Sequence, residues 1–184
     1  MPFIEGDFEL VACDLSMLCP GFARLLYHAD TRTVELLQKS QVNNKTENKN
    51  NPRIHGRNLA LIGDTFCEYA KWKDVKLFVR ERALSRFHYE VQVLNKVVGV
   101  VDYLLWQLHQ QNFTQITATE VKKYVAGNGR ATKEDVANAL SGYVGEQTYH
   151  SDNESDAVAI GIAWLIREGY MDCKYSKEEE TSTQ

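Results

Sequence analysis

Two short apolar runs far apart in the chain share one oddity: each stops on a carboxylate. "FELVACD" covers Phe8 to Asp14, and "VKLFVRE" covers Val75 to Glu81. Both are dominated by β-branched and large apolar residues, which marks them as buried strands. Such strands need other elements to cover them, and this excludes most all-helical and extended folds. After the first run, "LSMLCPGFARL" supplies Pro20 and Gly21 for a tight corner. A corner needs those two residues, but it does not need Asp14 on the strand before it.

The remaining elements follow from periodicity. "GFARLLYH" and "TVELLQK" read as second and third strands separated by the turn-like "HADTRT", so the chain opens as a meander. Ser40 to Pro52, "SQVNNKTENKNNP", has almost nothing to bury and reads as an exposed mobile loop. Leu59, Ile62, Phe66 and Tyr69 recur at helical spacing. Tyr89 to Gln111 is a long helix, apolar nearly all round, which needs cover on more than one side. "TQITA" is a short fifth strand. "ATEVKKYVA" and "TKEDVANAL" are helices capped by Thr117 and Thr132, on either side of "GNGR". A last helix begins near Asp152 or Asn153, and a polar tail occupies residues 177–184. The order βββ-α-β-α-β-α-α-α describes an α/β fold, one domain over residues 1–176, with a mixed five-stranded sheet and helices on both faces.

Charge narrows the partners less than it first suggests. The net charge is -4, which disfavours nucleic acid at face value. A phosphate responds to local density, however. Val75 to Lys96 and Thr119 to Lys133 each carry a local excess of +3. They place Arg82, Arg86, Lys122, Lys123, Arg130 and Lys133 as candidate DNA contacts, with Asn128 between Gly127 and Gly129. Lys45 and Lys49 could add to them from the polar loop. Four cysteines without C-x-x-C or zinc spacing read as reduced, mostly core thiols of a cytoplasmic protein. No apolar run is long enough to span a bilayer, and no signal-peptide pattern opens the chain.

If the first and fourth strands are neighbours, Asp14 and Glu81 project from adjacent strand ends. The first turn of the last helix, with Asp152, Asn153, Glu154 and Asp156, could pack beside them. Clustered carboxylates repel and raise each other's pKa unless a counter-charge is present. Magnesium suits such a set of hard oxygens, and two ions about 4 Å apart can clamp an in-line phosphoryl displacement. Taken singly, Asp156 also suits a helix N-terminus, and Glu81 could pair with Arg80 or Arg82.

At these residues the chain resembles the RuvC family of Holliday-junction resolvases, within the RNase H-like superfamily. "CDLSMLCPGFARL" resembles that family's first strand and corner, with Asp14 as the first acid. "LFVRERALSRF" resembles the strand bearing the second acid, here Glu81. "VKKYVAGNGRATKEDV" resembles its lysine-bearing stretch, with Lys122 and Lys133. "DNESDAVAIGIAWLI" resembles its final helix, with Asp156 as the last acid. One departure concerns the acid expected three residues earlier, where this chain has Asn153 and, one residue before, Asp152. Either Asp152 reaches the metals after a small shift, or Asn153 ligates as a neutral oxygen, or three acids suffice; Asp152 is the choice adopted.

The resemblance implies an RNase H-like fold and nicking of four-way junctions, extending to other branched DNA. It implies two Mg²⁺ ions, replaceable by Mn²⁺, on Asp14, Glu81, Asp152 and Asp156, with Lys122 and Lys133 acting in catalysis. It implies a homodimer in which the 89–111 helix packs against its twin. It also implies an aromatic wedge after Glu81, where Phe87, His88 and Tyr89 lie, although Phe87 and Tyr89 could equally staple the start of the long helix. Ser16, in the corner after Asp14, could lie near the phosphate. The short, tailed form suits a phage protein. Two other readings remain. One is a branched-DNA-binding protein without catalysis, for which the basic stretches suffice. The other is an actin-like nucleotide-binding phosphotransferase, which needs two such domains.

Overall fold

A computed structural model describes residues 3–44, 52–82 and 88–175. The strands are β1 (Phe8–Asp14), β2 (Gly21–His28), β3 (Thr33–Gln41), β4 (Val75–Glu81) and β5 (Thr114–Ile116). The helices are α1 (Pro52–Ala70), α2 (His88–His109), α3 (Ala118–Ala126), α4 (Lys133–Val144) and α5 (Asp152–Arg167). The five strands form one sheet in the order β3-β2-β1-β4-β5. β1 pairs antiparallel with β2 and parallel with β4, and β4 pairs parallel with β5. The expected mixed sheet is therefore present, with the expected neighbours: Cys13 lies opposite Arg80 in the β1–β4 register.

Strand alternation divides the core into two clusters. Leu10, Ala12, Leu25, Leu77 and Val79 pack with α3, α4 and α5 on one face. Val11, Cys13, Phe22 and Phe78 pack with α1 and α2 on the other. α5 is buried along most of its length, from Ala157 to Ile166. Its close approach is set by missing side chains. A Cβ at Gly161 would stand 2.4 Å from Leu25 Cδ1, and one at Gly21 would stand 1.9 Å from the carbonyl oxygen of Asn153. Gly21 is thus the first residue of β2, not a turn residue as the sequence suggested. Its role is to let the start of α5 lie directly on the strand.

Several expectations need revision. The segment expected to be mobile from Ser40 onward is ordered at its start. β3 runs to Gln41, Val42 and Asn44 donate backbone hydrogen bonds to Pro20 and Leu18, and the buried Asn44 amide reaches Met17 and Asn58 carbonyls. Lys45, Lys49, Arg86, Phe87 and the tail lie outside the described residues. Of the cysteines, which form no disulfide, only Cys13 is fully buried. α2 buries Val97, Val101 and Leu105, whereas Tyr103 and Trp106 stand 63% and 53% exposed. No helix among the described residues is long and apolar enough to cross a membrane.

Candidate active site

The C-terminal ends of β1 and β4 and the N-terminal ends of three helices meet at one cavity of about 300 Å³. Asp14 and Glu81 enter as the last residues of adjacent parallel strands. Asp156 enters from α5, one turn in. Ala118 and Lys133 are the first residues of α3 and α4, and Lys122 lies one turn into α3. Val121, Val136 and Ile160 form the apolar wall. Both shorter helices start where the sequence dictates. Thr117 accepts from Glu120 N–H and Thr132 from Asp135 N–H, and each acid returns a bond to the cap's backbone.

The charges in this cavity are incompletely balanced. Asp14 is raised to about 7, first by burial and then by Asp156 and Glu81, with Lys133 opposing. Glu81 is also raised, by burial and then by Asp156, against Lys133 and Lys122. Lys133 Nζ donates to Asp156 Oδ2 at 2.8 Å. The partial positive ends of α3 and α4 face the same space and favour anions there. Among the described residues, no three His, Cys, Asp or Glu side chains form a ready-made metal-ligand group. The donor chemistry nevertheless suits a hard divalent cation: three carboxylates share one cavity, one of them half-buried and short of counter-charge.

The other expected residues are dispersed. Asp152 is exposed and does not line the cavity, although its charge is felt by Lys133. Asn153 donates to Gln41 Oε1 at 3.4 Å while its backbone rests on Gly21. Glu154, two residues before Asp156, is buried in an ion pair with Lys39 at 3.2 Å and accepts His150 N–H. Ser16 accepts Cys19 N–H and so serves the corner. Gly127 is the left-handed cap of α3, and Gly129 packs closely against the Thr119 methyl, so each glycine has a local structural reason. Asn128 lines a separate open cavity of about 360 Å³ with Asp135, Asn138 and Tyr175. Arg130 and Arg82 are exposed, and Lys123 lies over the Tyr124 ring. The 75–96 basic stretch is not one surface. Arg80 is buried against Asp102, and Lys76 stands at the far end of β4 from Glu81.

The last helix was expected beside the two strand ends, but the arrival of the α3 and α4 N-termini at the same cavity was not anticipated, although the capping boxes at Thr117 and Thr132 were its signal. The apolar wall of Val121, Val136 and Ile160 was missed as well, because an apolar helix position carries no local mark of lining a cavity.

No protein-family model matches the sequence, and no curated protein matches it. Solved structures do. A Thermus thermophilus RuvC in complex with a Holliday-junction substrate superposes with a TM-score of 0.75 at 17% identity, covering 88% of this chain and 94% of that one. A second T. thermophilus RuvC structure gives 0.70 at 18% identity, with 88% and 97% covered. The fowlpox virus Holliday-junction resolvase gives 0.56 at 14% identity, with 87% and 99% covered. The fold is that of the RuvC-type resolvases.

Proposed function

We propose that this protein is a metal-dependent endonuclease that nicks four-way DNA junctions and related branched DNA. The observation that carries the reading is the meeting of Asp14, Glu81 and Asp156 with Lys122 and Lys133 in one cavity. These acids come from three widely separated parts of the chain, and without a cation their proximity destabilises the fold. Resolvases of the same fold, one of them solved with junction DNA, support the choice of substrate.

Divalent cations, Mg²⁺ or Mn²⁺, would neutralise the phosphodiester and make a water more acidic. Asp14, Glu81 and Asp156 are the residues that would hold them. Asp152 takes no part unless α5 shifts, and Asn153 is already engaged by Gln41. Lys122 and Lys133 meet the phosphate as point charges and stabilise the charge that builds on its oxygens. The N-termini of α3 and α4 add backbone dipoles of the same sign. Val121, Val136 and Ile160 limit water on one side. Exposed Lys123, Arg130 and Arg82 extend the positive surface toward the arms of the DNA. The exposed Tyr103 and Trp106 face of α2 supports a homodimer, which would present two cavities to two strands.

The test is a cleavage assay with and without Mg²⁺ on a four-way junction, a three-way branch and a linear duplex. The reading expects cation-dependent nicking of branched DNA that Asp14→Asn abolishes while junction binding persists. Binding without cleavage under any divalent cation would leave a junction-binding protein instead.

A further inference from the structure

We propose that Lys133 is a displaceable place-holder whose ammonium occupies Asp156 until a DNA phosphate draws it away, so that DNA and divalent-cation binding reinforce one another. This rests on the reading of the cavity given above and concerns how its two ligands are coupled.

The geometry supplies the argument. Lys133 Nζ sits 2.8 Å from Asp156 Oδ2, the sole side-chain partner of that carboxylate among the described residues. A carboxylate oxygen that accepts from an ammonium cannot offer the same lone pair to a metal, and the two cations repel. The lysine is free to leave. Its side chain is 67% exposed and its stem is anchored only at the first residue of α4, whereas Asp156 is 24% exposed on a buried helix. The part of the pair that moves is therefore the cation, and a phosphate entering the cavity offers it a new partner. Exchange of partners makes the two binding events mutually favourable, and by linkage each must help the other equally. Lys122 lines the same cavity with no ion pair among the described residues, so it reports the background field without the exchange.

The experiment is calorimetric titration of the full chain with Ca²⁺, free and saturated with four-way junction DNA whose integrity is checked by gel. Wild type, Lys133→Met, Lys122→Met and Asp156→Asn are compared, each verified as folded by circular dichroism. In DNA-free protein, Lys133→Met should tighten Ca²⁺ binding by about twofold to fivefold, the range set by one exposed ion pair. Lys122→Met should tighten it less. The gain in Ca²⁺ affinity on adding DNA should shrink in Lys133→Met and persist in Lys122→Met. Equal effects of the two lysine variants, or an undiminished DNA effect in Lys133→Met, overturn the place-holder while leaving the cation site intact. Asp156→Asn binding Ca²⁺ as wild type does would overturn the cavity reading itself.

Discussion

Two acids of α5, Glu154 and Asp156, each meet a lysine. Lys39 and Glu154 lie 3.2 Å apart with side chains 16% and 6% exposed, and Lys39 also donates to the Thr148 carbonyl and lies over the Tyr149 ring. Lys133 and Asp156 lie closer, at 2.8 Å, yet far more open to solvent. The shorter pair is the weaker device. Burial and additional partners make the first a pin that holds β3 and the 148–150 loop to the head of α5. Exposure makes the second a contact that a ligand can replace.

The comparison predicts opposite phenotypes from neighbouring acids. Asp156→Asn should lower junction cleavage by more than roughly a thousandfold, the scale of losing a member of a catalytic set. Its melting temperature should hold or rise. Glu154→Ala should do the reverse, costing on the order of 3 kcal/mol in denaturant unfolding because the mostly enclosed Lys39 loses its counter-charge and keeps only the Thr148 carbonyl and the Tyr149 ring. Cleavage per folded molecule should survive it. If Glu154→Ala removes cleavage at full stability, the pin belongs to the site and the contrast fails.

A smaller effect tests the geometry beneath both pairs. Gly21→Ala forces a Cβ against the Asn153 carbonyl, which cannot yield as a side chain would. Chemical denaturation should show a loss of about 1–3 kcal/mol. Cleavage should also fall, since the head of α5 is displaced from Asp14. The smallest effect is in pH. Asp14 is raised to about 7 when folded, so its contribution to stability is complete below the unfolded value near 3.8 and is lost as pH rises through about 7. The difference in melting temperature between wild type and Asp14→Asn, measured without divalent cations, should therefore widen from pH 4 to pH 7. A difference that stays flat over that window would remove burial as the cause.

These contrasts show what was legible in the chain. Asp14 and Glu81 could be placed because an apolar strand announces its own end, and a parallel pair puts both ends at one edge of the sheet. Thr117 and Thr132 could be placed because capping is local. Asp152 was chosen over Asn153 on identity alone, but the first turn of a helix points its residues in different directions. Asp152 falls outside the cavity, and Asn153 is spent on Gln41 and Gly21. Glu154 gave no signal, since its partner Lys39 lies 115 residues away. Gly21 beside Pro20 looked like turn chemistry, because close approach by a distant helix leaves no local mark. In α2, apolar residues on every face could not say that Val97 and Leu105 would turn inward and Tyr103 outward.

The strand order has a consequence for synthesis. Asp14 is synthesised before Glu81, and its acid neighbour is missing until β4 has crossed over to lie beside β1; α5 follows both strands in the chain. Asp156, and with it Ile160 of the cavity wall, leaves the ribosome only after the five described strands and helices α1 to α4. A growing chain can therefore display its basic segments to nucleic acid well before it possesses the cavity, and whatever chemistry that cavity performs begins only once the whole sheet has been closed over by its final helix.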